Sequence, residues 1–153
     1  MVDSRAKGAR AETLIRDQLR TLTKLQWERV PSSGALDPKH GLKGDLYVPN
    51  EKNLFCVEVK HYEDDHLTSK ILTDKNPQLI EWWSQAVRQG KQVGKKPLLL
   101  FKFDRSKVFV AFEDIPDYDY RCMQFNMSLL GYEFFVATLD DWYTAEKPKF
   151  ILE

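Results

Sequence analysis

The residues best suited to chemistry lie in the segment Leu54–Lys60, which reads Leu-Phe-Cys-Val-Glu-Val-Lys. This pattern is typical of a strand, and strand side chains alternate between faces, so Glu58 and Lys60 should point the same way, about 7 Å apart. Both faces of the strand are apolar until Glu58. A carboxylate at the end of a buried strand must be paired or coordinated, because leaving it desolvated costs several kcal/mol.

A second carboxylate, that of Asp45, follows Gly44 at the start of the preceding predicted strand, thirteen positions before Glu58. A hairpin of this length can bring the two carboxylates together, where they repel each other unless a cation lies between them. Such oxygen ligands suit Mg²⁺, with Mn²⁺ as a substitute and water molecules completing the coordination shell. Lys60 beside the metal could orient an attacking water or stabilise charge that develops on a phosphate.

Each of these signals has a simpler explanation when it is taken alone. Glu58 and Lys60 could form an ordinary ion pair at a strand end, since the pattern Glu-x-Lys is very short. Glu12 lies outside the apolar stripe of the first predicted helix, where a solvated glutamate is common. The combination of a Gly-Asp step, a hairpin and Glu-x-Lys is what favours a catalytic interpretation.

Several further polar residues are candidates for a supporting role. Arg29 and the segment Ser32-Ser33-Gly34 could contact a phosphate, although turn formation explains these residues equally well. Gln85, on the second long helix, could bond to an active-site water, to a strand carbonyl or only to solvent. His40, His61 and His66 have no common metal-ligand spacing. The sequence contains no phosphate-binding glycine loop and no nucleophile elbow.

The elements that must position these residues can be predicted from periodicity and turn chemistry. Asn76 and Pro77 should begin the second long helix as its cap and first residue, Gly94 should end it, and Thr138 should cap the last helix. The predicted order is helix 5–25, extended 27–30, strand 46–48, turn 50–53, strand 54–60, helix 76–93, strands 98–103 and 108–112, helix 121–130, strand 133–137 and helix 138–143. This order predicts an α/β or α+β single domain with a mixed sheet flanked by helices.

Length and composition exclude several classes of protein. The chain has 153 residues, of which 12% are aromatic and 42% hydrophobic, so we expect one folded domain over residues 1–153 rather than disorder. No apolar run is long enough for a membrane span or a signal peptide, which predicts a soluble cytoplasmic protein without membrane contact. Cys56 and Cys122 are too few for a disulfide framework or a zinc cluster.

The net charge is zero, but the charges are segregated along the chain. Residues 1–44 carry nine basic and five acidic side chains, and residues 84–111 carry seven and one, whereas acidic residues dominate segments 45–83 and 112–153. A phosphate backbone responds to the local field of a basic face rather than to the total charge. A nucleic-acid partner is therefore compatible with this composition.

Taken together, the motifs resemble the PD-(D/E)XK nuclease superfamily, and within it the archaeal Holliday-junction resolvases and related phage enzymes. The matching pieces occur in the order of that family and cover roughly residues 5–115. They are Lys7-Gly8-Ala9-Arg10-Ala11-Glu12, Arg29 with Ser32-Ser33-Gly34, Gly44-Asp45-Leu46, Val57-Glu58-Val59-Lys60, Asp65-His66-Leu67, and Pro97-Leu98 through Lys102-Phe103.

The resemblance implies a restriction-endonuclease-like fold, a homodimer and a divalent-metal-dependent endodeoxyribonuclease that cuts branched DNA such as four-way junctions. It assigns metal binding to Asp45, Glu58 and the Val59 carbonyl, and catalysis to these two acids with Lys60 and Glu12. We expect DNA contacts from the basic segment 84–107, with Gln85 as a possible support, and from Lys7, Arg10, Arg29, Ser32, Ser33 and Lys43.

The sequence departs from the family pattern at three places, which concern DNA geometry and dimer contacts more than metal chemistry. Thr13 follows the helix glutamate where arginine is usual, the 34–44 loop is longer, and sequence is added around residues 71–78. The acidic segment 116–153 has no match, and we expect it to pack on the domain as a helix-strand-helix extension. A nicking, flap or restriction-like nuclease, an inactive DNA-binding module and a protein-interaction domain remain alternatives.

Overall fold

The computed structural model describes residues 4–31, 43–127 and 131–153. Four helices lie within these ranges: α1 (Ser4–Thr23), α2 (Lys70–Thr73), α3 (Gln78–Val93) and α4 (Leu139–Glu146). The strands are β1 (Glu28–Arg29), β2 (Leu46–Tyr47), β3 (Lys52–Asn53), β4 (Phe55–Tyr62), β5 (Lys96–Phe103), β6 (Phe109–Phe112), β7 (Met123–Met127), β8 (Tyr132–Thr138) and β9 (Ile151–Leu152).

Seven strands form one mixed sheet in the order β1-β2-β4-β5-β6-β8-β7. β4 and β5 are parallel along their whole length, from Phe55 opposite Lys96 to Tyr62 opposite Phe103. The remaining neighbours are antiparallel, including β2 and β4, where Leu46 lies opposite Val57. The prediction of a turn over residues 50–53 is wrong at Lys52–Asn53, because these residues form β3. β3 and β9 form a separate two-stranded sheet.

The sheet has a buried apolar layer on each face, which is why helices flank it on both sides. Val57 and Val59 of β4 pack in the layer that includes Ile15 and Leu19 of α1 and Trp142 of α4. The opposite layer joins Leu99, Phe101 and Phe103 of β5 to Trp82 and Trp83 of α3. The predicted α+β fold with a central mixed sheet and flanking helices is confirmed.

The ends of the helices follow local chemistry with one exception. Gly94 closes α3 with φ +66°, and its N–H donates to the carbonyls of Gly90 and Lys91, as the sequence predicted. Thr138 caps α4 by accepting a hydrogen bond from the Asp141 N–H. The prediction that Asn76 caps α3 is wrong, because Pro77 is the N-cap residue and the helix begins one position later.

The prediction of a helix over residues 121–130 is also wrong, because Met123–Met127 forms β7 at the edge of the sheet. Phe125 and Met127 pack towards the α3 layer, whereas Gln124 and Asn126 are exposed. This alternation has a period of two, which suits a strand rather than a helix. The C-terminal segment therefore contains two strands, a helix and a last short strand instead of the expected helix-strand-helix.

Candidate active site

Asp45 is held against β4 by two backbone contacts. Its N–H donates to the Val57 carbonyl at 2.7 Å, and its Oδ2 accepts a hydrogen bond from the Val59 N–H at 2.7 Å. These contacts extend the β2–β4 pairing by one residue beyond Leu46. The carboxyl group of Asp45 is thereby fixed beside the middle of β4.

Gly44 makes this approach possible. It has φ +87°, and a Cβ atom at this position would lie 2.5 Å from the Val57 carbonyl oxygen. Only glycine combines this backbone conformation with so close an approach of two strands. The Gly-Asp step noted in the sequence thus has a specific structural cause, although its glycine was not predicted to matter.

Glu58 is buried in β4, with 3% of its surface exposed, and its carboxyl group is hydrogen-bonded to that of Asp45. Burial raises the pKa of Glu58 to about 8, and the adjacent Asp45 charge raises it further. Burial also raises the pKa of Asp45, to about 6, against the hydrogen bond from the Val59 N–H that lowers it. The two interacting acids titrate as a pair, and burial favours the protonated forms of that pair.

Two further charged residues act on this carboxyl pair. The ammonium group of Lys60 lowers the pKa of Asp45 and of Glu58, whereas the carboxylate of Glu12 raises both. Glu12 reaches the pair from α1, and its Oε2 accepts a hydrogen bond from Arg29 Nε at 2.8 Å. The structure therefore brings together the four residues for which the sequence predicted catalysis, with Glu12 engaged by Arg29.

Comparisons with known proteins identify the family of this chain. Residues 3–153 match the family model described as "Phage putative PDDEXK endonuclease". The chain belongs to this family. Protein D14 of Escherichia phage T5 is 46% identical over 115 residues, which are 73% of this chain and 72% of that protein. Hjc, a Holliday junction resolvase from Archaeoglobus fulgidus, has a structure that matches 90% of this chain and 93% of its own at 15% identity and a TM-score of 0.44.

Membership of the PD-(D/E)XK family makes this chain a nuclease and gives its carboxyl pair a chemical context. Nucleases of this family generally use divalent metals. The described residues contain no cluster of three or more His, Cys, Asp and Glu side chains that could hold a metal ion. The donor set at this site is the carboxyl pair of Asp45 and Glu58.

This donor set fits Mg²⁺, which usually keeps several waters and binds one or two carboxylates. The carbonyl of Val59 is a further candidate ligand, because the N–H and C=O of one strand residue point to the same edge and the Val59 N–H points at Asp45. Two buried acids that must share a proton are the arrangement that a dication stabilises. The residues present therefore fit the metal that the family implies.

The sheet divides the candidate residues between its two faces. Val57 and Val59 of β4 pack on the α1 side of the sheet. Glu58 and Lys60 alternate with them along the strand, so the side chains of Glu58 and Lys60 lie on the α3 side. Gln85 is a partly buried residue of α3, the helix that packs over this face. Its supporting role stays a prediction.

The predicted DNA contacts are dispersed. Arg10 is exposed on α1, and Lys43 is partly buried near Cys56, whose pKa it lowers. Ser32 and Ser33 lie outside the described residues, as does the side chain of Lys7. Of the six predicted contacts, Arg29 is thus the one that the described structure places against a candidate catalytic residue.

The basic segment 84–107 does not form one surface. Lys96 and Lys102 lie near opposite ends of β5, about 20 Å apart for six strand residues. Because His61 pairs with Lys102, the carboxyl end of β5 is the end next to Lys60. Lys96 Nζ donates a hydrogen bond to Asp114 Oδ2 at 2.8 Å, and Lys102 Nζ donates to the carbonyls of Phe103 and Ser106.

No helix in the described ranges is long and apolar enough to cross a bilayer.

Proposed function

We propose that this chain is a divalent-metal-dependent endodeoxyribonuclease that hydrolyses phosphodiester bonds in branched DNA, with four-way junctions as its preferred substrate. The observation that carries the proposal is the hydrogen-bonded pair of Asp45 and Glu58 beside the Lys60 ammonium in a chain of this nuclease family. A preference for junctions rests on the resemblance of the N-terminal helix, the Gly-Asp step and the Glu-x-Lys strand to the resolvases.

Each residue has a separate task in this proposal. Asp45 and Glu58 would hold Mg²⁺, with the Val59 carbonyl as third ligand, and the Val59 N–H fixes the Asp45 carboxylate in position. When bound, the metal supplies charge that polarises the scissile phosphate and lowers the pKa of a coordinated water. Lys60 orients the attacking water and stabilises the negative charge that builds up on the phosphate.

Glu12 and Arg29 are proposed to act at the edge of this site. The 2.8 Å ion pair between Glu12 and Arg29 holds the Arg29 guanidinium at the edge of the site that faces β1. A phosphate arriving there can share the Arg29 guanidinium with Glu12 or displace it. Release of Glu12 would add an acidic group near the metal.

A homodimer is part of the proposal. Symmetric resolution of a four-way junction needs two cuts, in strands related by a two-fold axis. Each copy of the chain has one Asp45–Glu58 pair and can therefore make one of these cuts. We therefore expect two copies of this chain on each junction. Sedimentation of the complex with a synthetic junction measures this stoichiometry.

The test is cleavage of three synthetic substrates of the same sequence: a four-way junction, a linear duplex and a flap, each with Mg²⁺ or Mn²⁺. We expect the wild type to cut the junction fastest, and Lys60→Ala to abolish cleavage while DNA binding persists. Lys149→Ala, which removes an exposed lysine near β9 and outside the basic segment 84–107, is the matched control and should cut like the wild type.

Three results would contradict parts of the proposal. Equal rates on the three substrates would indicate a nuclease without junction preference. Binding without cleavage under both metals would indicate a DNA-binding module that has lost catalysis. No affinity for DNA at low salt would favour a protein-interaction domain.

A further inference from the structure

An exposed aromatic residue lies on the same strand face as the candidate catalytic groups. Tyr62 ends β4, two positions after Lys60 and four after Glu58, so the three side chains share the α3 side of the sheet. Tyr62 is 43% exposed, whereas Glu58 is buried. Two strand residues span about 7 Å, so the Tyr62 ring lies within one nucleotide of a phosphate held at Lys60.

The Tyr62 ring is held in place from one side. Its centroid lies 5.1 Å from that of Trp82 at an interplanar angle of 30°, and 5.2 Å from that of His66 in an edge contact at 89°. Trp82 itself is 3% exposed and packs on Phe101 and Phe103. With Trp82 behind it, the ring of the partly exposed Tyr62 is held in position before any ligand arrives, which lowers the entropy lost on binding.

The charges around Tyr62 distinguish between parts of a nucleotide. The residues that follow it, Glu63, Asp64 and Asp65, are exposed and acidic, and Asp65 Oδ1 accepts a hydrogen bond from the Leu67 N–H at 2.7 Å. Carboxylates repel phosphates but not the faces of bases. A strand with its phosphate at Lys60 would therefore keep its backbone away from this loop and turn a base towards Tyr62.

We propose that Tyr62 is a stacking platform for an unpaired nucleobase next to the scissile phosphate. The inference rests on the proposed function and gives it a substrate feature, because a base can reach an aromatic face only where it has left the duplex stack. Bases at a branch point meet this condition more readily than those in a linear duplex. The ring thus favours branched or frayed DNA over fully paired DNA.

The first test compares variants on substrates with and without the base. Branched substrates carry either the normal nucleotide or an abasic site next to the cleaved phosphate, on its 5′ or its 3′ side. Tyr62→Leu should cut the normal substrate about 5- to 150-fold more slowly, which corresponds to the usual stacking contribution of one base. On one of the two abasic substrates, Tyr62→Leu should cut as fast as the wild type cuts that same substrate. Tyr62→Phe should cut every substrate at the wild-type rate.

Tyr118→Leu is the matched control, because Tyr118 is 62% exposed in the loop after β6 and does not lie on β4. It should leave cleavage of every substrate unchanged. Equal slowing of the normal and both abasic substrates by Tyr62→Leu would overturn the inference, since it would indicate that the ring only covers Trp82. No slowing on any substrate would overturn it as well.

A binding measurement separates this inference from the proposed function. 2-Aminopurine placed next to the cleavage position should lose fluorescence when the wild type or Tyr62→Phe binds without added metal, but not when Tyr62→Leu binds. Quenching in the metal-free complex, together with no cleavage of the same substrate after Mg²⁺ or Mn²⁺ is added, would support the platform and contradict the nuclease proposal. An unquenched probe in the wild-type complex, or no complex at all, would contradict the platform.

Discussion

Replacement of Glu58 by glutamine should stabilise the metal-free protein at neutral and alkaline pH while it removes metal-dependent cleavage. The native protein places Glu58 and Asp45 in hydrogen-bonded contact in a buried site, which raises the pKa of each carboxyl. Folding at neutral pH must therefore capture a proton that the unfolded chain does not hold. Glutamine keeps the shape of the side chain and removes this requirement.

The sign and size follow from the two pKa values of Glu58. A raised pKa in the folded protein contributes stability that is complete below the unfolded value of 4.5 and is lost as the pH rises towards about 8. Each pH unit in this window changes the free energy of unfolding by about 1.4 kcal/mol for one proton, which gives about 3 kcal/mol between pH 4.5 and 7. Because Asp45 shares the proton, we expect the difference in the free energy of unfolding between Glu58→Gln and wild type to grow by about 1–3 kcal/mol over this pH range.

Urea unfolding in EDTA, from pH 4.5 to 8.5, measures this difference. Comparison at each pH cancels the titration of groups outside the Asp45–Glu58 pair. Any constant cost of burying the amide shifts the difference without changing its slope. Gln92→Ala, which removes an exposed side chain of α3 that has no titratable group, is the control and should give a difference that does not vary with pH. A pH-independent difference for Glu58→Gln would refute the linked titration of the acidic pair.

Three further perturbations test other parts of the site and fold. Gly44→Ala should lower the melting temperature and slow cleavage at least tenfold, because its Cβ would press on the Val57 carbonyl and displace Asp45; unchanged cleavage kinetics would contradict this role. Asn53→Ala should lower the free energy of unfolding in urea by about 1–3 kcal/mol, because the N–H and C=O of Val48 lose their buried amide partner. Removal of Mn²⁺ should lower the melting temperature more at pH 8 than at pH 5.5, because protons compete for the carboxylates; an equal shift at both values would place the metal elsewhere.

The hairpin that builds the carboxyl pair could be predicted because its determinants are local. Strand alternation placed Glu58 and Lys60 on one face, and the short connection after Leu46 fixed the antiparallel partner of Val57. The sequence did not reveal that the Val59 N–H would bind Asp45 or that Gly44 must approach β4. Both depend on the distance between two backbones rather than on residue type.

Elements whose partners lie far along the chain were predicted less well. Met123–Met127 has a composition that a helix also tolerates, and its identity as a strand depends on pairing with β8. β3 exists because it pairs with β9, almost a hundred residues later. The aromatic contacts of Tyr62 with His66 and Trp82 likewise join β4 to the following loop and to α3, so residue types alone do not indicate a platform there.

The electrostatics of Glu58 favour one of the two interpretations that its sequence left open. In an ordinary ion pair, Lys60 would lower the pKa of this carboxyl below its usual value. Lys60 does act in that direction, but burial and the Asp45 charge outweigh it, and the pKa is raised to about 8. The backbone contacts of Asp45 hold it against this repulsion. An ion pair between Glu58 and Lys60 does not need a second acid at this place, whereas the proposed metal site uses both carboxylates.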